Sequence, residues 1–150
     1  MHRPPRVVII DDDPIYLRVW EKVFRGIVEC NYCLTNDFET VEAVLASEPV
    51  DLVISDIVMN DRNGYEIAKL VYQYQPNAQL LLTTGYDCNV KHFDICSPKF
   101  HLLYKPYHNI TDIQRLISHL LKNDDNFFQD LSEDSCSEKE DAPNVTEWRL

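Results

Sequence analysis

The chain has 150 residues, 45% of them hydrophobic, and a formal net charge of −11. That is the length of one domain with little left over, and enough apolar content for a core. It holds no apolar run near the ~18 residues of a membrane span, no basic cluster for direct nucleic-acid binding, and only a four-residue apolar stretch near its start, too short for a signal-peptide core. A cytoplasmic protein with no membrane insertion is expected.

The acids are unevenly spread: residues 123–150 hold 9 acids and 2 bases. Among five cysteines, Cys30 and Cys33 have redox or zinc spacing. They fall in an alternating stretch, Val28–Leu34, where residues three apart in a strand point to opposite faces. No second pair stands at ligand spacing, and a structural role is expected.

Arg6-Val-Val-Ile-Ile10 reads as a buried first strand, ending at Asp11-Asp12-Asp13-Pro14. Proline suits a first helical turn, and acids favour a helix N-terminus. Tyr16, Val19, Trp20, Val23, Phe24 and Ile27 then form a helical stripe. Residues 28–34 give a second strand. Asp37 caps a helix striped by Val41, Val44 and Leu45. The third strand, 51–56, is an apolar run ending in Asp56, followed by an Asn63-Gly64 turn. Ile67, Leu70, Val71 and Tyr74 mark the next helix, stopped before Pro76. Residues 79–84 form the fourth strand. Residues 87–97 are expected to hold a short or irregular helix, since Asp87, Asn89, Val90 and Phe93 are weak formers. Residues 100–104 form the fifth strand, followed by Lys105-Pro106, and a last helix runs over 111–122.

The alternation predicts a flavodoxin-like, doubly wound, five-stranded parallel sheet of order 2-1-3-4-5 with helices on both faces. One domain over 1–122 and an acidic, disordered tail over 123–150 follow. The tail is too short for an output domain.

Chemistry in open α/β sheets sits beyond the carboxyl ends of the strands. Asp11 and Asp12 fall there after the first strand, Asp56 after the third, Thr84 after the fourth and Lys105 after the fifth. The first and third strands are neighbours, so their carboxylates converge. Clustered like charges call for a cation, and hard oxygen ligands suit Mg2+. A lysine, a metal and a hydroxyl around one aspartate can activate it as a nucleophile for phosphoryl transfer.

At these residues the chain resembles the receiver domain of two-component response regulators. The resemblance spans about residues 5–122. It rests on the Asp pair after Val-Val-Ile-Ile, the Asp after Leu-Val-Ile-Ser, Asn63-Gly64, Thr84-Gly85 and Lys105-Pro106. It implies a phosphoprotein of signal transduction in which Asp56 is the phosphoacceptor. Asp12, Asp56 and the Val58 carbonyl would hold Mg2+ directly, and Asp11 through water. Thr84 would be the switch hydroxyl, and Lys105, before a cis proline, the phosphoryl partner. A histidine kinase or histidine phosphotransfer protein would be the donor, with an unknown downstream protein as target. Phosphorelay transfer fits this reading, and the chain is not otherwise an enzyme.

Departures from the family pattern are visible. Asn60 stands where proline is usual, which is expected to loosen its loop. Asn63 replaces an aspartate. Leu102 replaces the aromatic three residues before the lysine, which puts a threonine-to-aromatic relay in doubt. Val58 and Tyr86 offer no amide or acid to orient water, so slow self-dephosphorylation, over hours, is expected. The alternatives are a pseudo-receiver that binds a partner unphosphorylated, and a Mg2+-dependent phosphohydrolase built on Asp11-Asp12-Asp13. The second lacks the acidic metal motif expected after Lys105.

Overall fold

In the computed structural model the described residues are 3–27, 29–60, 62–85, 100–122 and 145–150. The expected helix over 87–97 and residue Tyr86 lie outside them, as does most of the acidic tail. The strands are β1 (Arg6–Ile10), β2 (Asn31–Thr35), β3 (Leu52–Asp56), β4 (Gln79–Thr84), β5 (Phe100–Tyr104) and β6 (Val145–Trp148). The helices are α1 (Pro14–Arg25), α2 (Phe38–Ser47), α3 (Gly64–Tyr74) and α4 (Ile110–Lys122). All strands pair in parallel, in the order β2-β1-β3-β4-β5-β6.

Alternation along the strands builds two cores. Val7, Ile9, Leu52, Ile54, Leu81 and Leu103 face α1 and α4. Val8, Ile10, Val53, Leu80, Leu82 and Leu102 face α2 and α3. Every residue of β3 is buried, because the strand is covered on both faces.

Local chemistry starts each helix. Asp13 caps α1 by accepting from the Ile15 N–H, with Pro14 at the first helical position. Asp37 caps α2 through the Glu39 N–H. Asn63 and Glu66 form a capping box at α3. Asn109 accepts from the Asp112 N–H at α4.

The expected fold class is present, with a sixth strand beside β5 among the described residues: Val145–Trp148, in the stretch expected to be disordered, pairs with it. Trp148, 3% exposed, joins the α1–α4 core and pairs in register with Leu103. Burying a tryptophan and pairing an edge strand orders a short segment despite its acidic surroundings. The two cysteines that precede and occupy β2, Cys30 and Cys33, form no disulfide. Among the described residues no helix is long and apolar enough to cross a membrane.

α1 and α4 lie on one face of the sheet, α2 and α3 on the other. Between β1 and β2 the chain moves one way across the sheet, with α1 on one face. From β2 to β3 and from β3 to β4 it moves the other way, with α2 and α3 on the opposite face. Those three connections share one hand.

Candidate functional site

Register sets the site. Ile10 pairs with Ser55, which brings Asp11 level with Asp56, and Asp56 pairs with Thr83. Asp11, Asp56 and Thr83 thus form a row across β1, β3 and β4, on the face toward α1 and α4. Lys105 follows β5 and reaches over this row. Its Nζ donates to Asp11 Oδ2 at 2.9 Å and to Asp56 Oδ2 at 3.1 Å. The three side chains are 8%, 1% and 10% exposed, so the pairing is dry. The Lys105 Nζ also lies 3.8 Å from the centre of the Tyr16 ring.

Burial raises the Asp56 carboxyl above its ordinary range; Lys105 pulls it back and Asp11 pushes it up again, and the net effect is upward. Burial alone would lower the Lys105 ammonium. Its bonds and charge contacts with Asp11 and Asp56 outweigh that, and it is held above the ordinary lysine value. The cluster is short of positive charge.

Asp12 is half-buried, and its Oδ2 accepts from the Asn60 N–H at 3.0 Å. A proline at 60 could not make this bond, so Asn60 ties the loop after β3 to the site where a looser loop was expected. One carboxylate oxygen from each of Asp11, Asp12 and Asp56 lies within 4.8 Å of the others. Three hard oxygens around a charge-deficient pocket fit a small divalent cation. Asp13 points elsewhere, to its capping bond, and its N–H donates to Asp11 Oδ1 at 2.9 Å.

The loop from Asp56 to α3 is held closely. The Val58 N–H donates to Asp56 Oδ1 at 3.4 Å, and Val58 forms an isolated bridge with Asn63. A Cβ on Gly64 would lie 2.9 Å from the Asp56 carbonyl oxygen and 3.0 Å from Ile57 Cα. Only glycine permits this approach. The Val58 side chain is 55% exposed at the mouth of the site.

Thr84 is fully buried at the end of β4, and its carbonyl accepts from the Lys105 N–H at 2.8 Å. It lies one residue beyond the Asp56 row, on the other face of the strand from Thr83. Leu102 is fully buried in the α2–α3 core.

Sequence reasoning passed over three residues. Tyr16, read as core, supplies the ring against Lys105. Tyr107 packs edge-on against Tyr16 at 5.3 Å and Trp20 at 5.4 Å. The hydroxyls of Tyr107 and Thr83 are both buried and make no well-formed hydrogen bond, only a weak contact with each other. Burial drives the Tyr107 phenol far above its ordinary range, with Thr83 tempering the rise, so it stays a neutral donor. The Lys-Pro-Tyr run was the signal for Tyr107; that Thr83 shares the Asp56 face needed the register.

Comparison with known proteins agrees with this arrangement. The family model for the response regulator receiver domain matches residues 7–118. The chain belongs to the receiver domain family of two-component response regulators. It is 36% identical over 70 residues to the two-component response regulator ORR22 of Oryza sativa subsp. indica, covering 44% of this chain and 10% of that protein. It is 26% identical over 106 residues to the response regulator receiver protein CpdR of Brucella abortus, covering 69% of this chain and 86% of that protein. The chain thus spans about a tenth of the rice regulator's length.

Among solved structures, the signal receiver domain of an HD domain-containing protein from Pseudomonas fluorescens Pf-5 superposes with a TM-score of 0.67. It has 20% identity and covers 81% of this chain and 97% of its own. The response regulator TrrA of Thermotoga maritima, solved in complex with Mg(2+)-BeF, gives 0.65 at 20% identity over 77% of this chain and 98% of its own. Both likenesses are of fold.

Proposed function

We propose that this receiver accepts a phosphoryl group on Asp56, in a Mg2+-dependent transfer from a histidine kinase or histidine phosphotransfer protein, and that the modification switches its contacts with another protein. The observation that carries the reading is the sharing of one buried ammonium by Asp11 and Asp56, with Asp12 within 4.8 Å. Asp12, Asp56 and the Val58 carbonyl would hold the ion, with Asp11 alongside. When bound, Mg2+ supplies positive charge to the incoming phosphoryl oxygens.

The chain's own residues do the rest. An Asp56 carboxylate oxygen attacks phosphorus, the bond from phosphorus to the donor's histidine nitrogen breaks, and that nitrogen keeps the electron pair. Lys105 moves from the carboxylate to a phosphoryl oxygen. Thr83, level with Asp56 on the same face, offers its hydroxyl to the third oxygen; Thr84, expected in that role, lies on the other face of β4. The exposed, apolar Val58 offers no group to orient an attacking water, so the acyl phosphate lasts hours. A cytoplasmic location belongs to the same reading.

Intact mass after incubation with acetyl phosphate tests this. A gain of one phosphoryl that needs Mg2+ and disappears in Asp56→Asn is expected. No gain, with the fold intact, would leave a pseudo-receiver that binds its partner unmodified.

A further inference from the structure

Residues 145–150 differ from the rest of the sheet in how they are held. Residues 145–148 form its last strand and, among the described residues, pair only with β5. Twenty-two residues separate Lys122 from Val145 in the sequence. Trp148 is the one buried side chain of the segment among those described.

The same segment is bonded to the loop that carries Lys105. The His108 N–H donates to the Leu150 carbonyl at 2.9 Å. The Arg149 guanidinium lies 3.9 Å from the centre of the Tyr104 ring, one residue before Lys105. Both contacts are made while Lys105 is engaged with Asp11 and Asp56.

We infer that residues 145–150 are a displaceable strand that covers the β5 edge in the unmodified protein and is released when Asp56 is modified. The coupling rests on the phosphoacceptor reading; the displaceable strand does not. Modification gives Lys105 a new partner. The loop that follows it shifts, and contacts fitted to the resting loop weaken. Release bares the β5 edge beside Leu103, a surface suited to a strand of a partner protein. By reciprocity, removing the cover favours modification.

Hydrogen–deuterium exchange on the full-length chain tests both parts. Without additives, the amides of 145–148 are expected to exchange at least about tenfold faster than those of β1, β3 and β4, as a separate opening unit does. Trp148→Ala is expected to strip protection from 145–150 and leave β1, β3 and β4 protected. Exchange of 145–148 in step with the central strands, or collapse of the whole fold in Trp148→Ala, would overturn the displaceable strand. Mg2+ with beryllofluoride, a phosphoryl mimic, is expected to speed exchange at 145–148 about threefold or more, and not in Asp56→Asn. If the mimic binds, as seen by protection around Asp56, and 145–148 does not respond, the coupling is wrong. If neither the mimic nor acetyl phosphate reaches Asp56, the phosphoacceptor reading fails and the coupling with it; the first two arms still decide the strand.

Discussion

Lys105, just after β5, reaches past β4 to Asp56 at the end of β3 and bonds its carboxylate at 3.1 Å. The same ammonium holds Asp11, so one cation neutralises two buried acids from different strands. Electrostatic consequences follow from this sharing.

Lys105→Met leaves both carboxylates buried without a counter-charge. Breaking a buried pair by removing one partner costs about 3–5 kcal/mol. Urea unfolding at pH 7.5 is expected to show a loss of that order. The loss shrinks at pH 5, where the raised Asp56 carboxyl takes up a proton more readily, and Mg2+ restores part of it.

Asp56→Asn is expected to stabilise the metal-free fold at neutral pH. The Asp56 carboxyl is raised in the folded state. A raised acid binds more protons folded than unfolded, so stability falls as pH rises from its ordinary value through its folded one, and the deficit is complete above that. The variant lacks this slope. Its melting midpoint should exceed the wild type's at pH 7–8, with the gap closing as the pH falls toward 4. Lys105, raised in the folded state, contributes the other way: its share is complete below the ordinary lysine value and is lost as the pH climbs past the folded one. A wild type more stable than the variant at pH 7.5 without metal would contradict this.

Much of the site was legible in the sequence because it depends on strand ends. Asp11, Asp12, Asp56 and Lys105 each follow an apolar run, and parallel strands bring such ends together. Which hydroxyl shares the Asp56 face was not legible, because Thr83 and Thr84 differ only by register and one residue reverses the face. The role of Asn60 was misread, because its side chain drew the comparison with proline while its N–H makes the bond. The last strand was missed because four alternating residues among acids carry almost no periodic signal; its order comes from a distant edge and from Trp148.

Gly64→Ala pushes a methyl into backbone at Asp56 and Ile57, at 2.9 and 3.0 Å. Overpacking of this kind costs about 1–3 kcal/mol. Because the atoms that must yield carry Asp56 itself, labelling by acetyl phosphate should slow more than the stability loss alone explains. Stopped-time mass spectrometry at a temperature where the variant is fully folded separates the two.

Tyr107→Phe removes a buried hydroxyl that makes no well-formed hydrogen bond, only a weak contact with Thr83. The ring contacts with Tyr16 and Trp20 remain. Stability is expected to hold or to rise by up to about 1 kcal/mol, since an unsatisfied buried donor carries a desolvation penalty. A clear loss in thermal midpoint would mean that the hydroxyl is paired in solution.

Asp11 and Lys105 are 94 residues apart in the chain, and Asp56 is 49 from Lys105. Their meeting needs β1, β3, β4 and β5 all docked in register. With any one of these undocked, Lys105 has no buried pair of carboxylates to join. The charge cluster is therefore a proofreading mark on assembly: it exists only in molecules that have folded, and an incomplete chain does not compete with them for whatever the cluster binds.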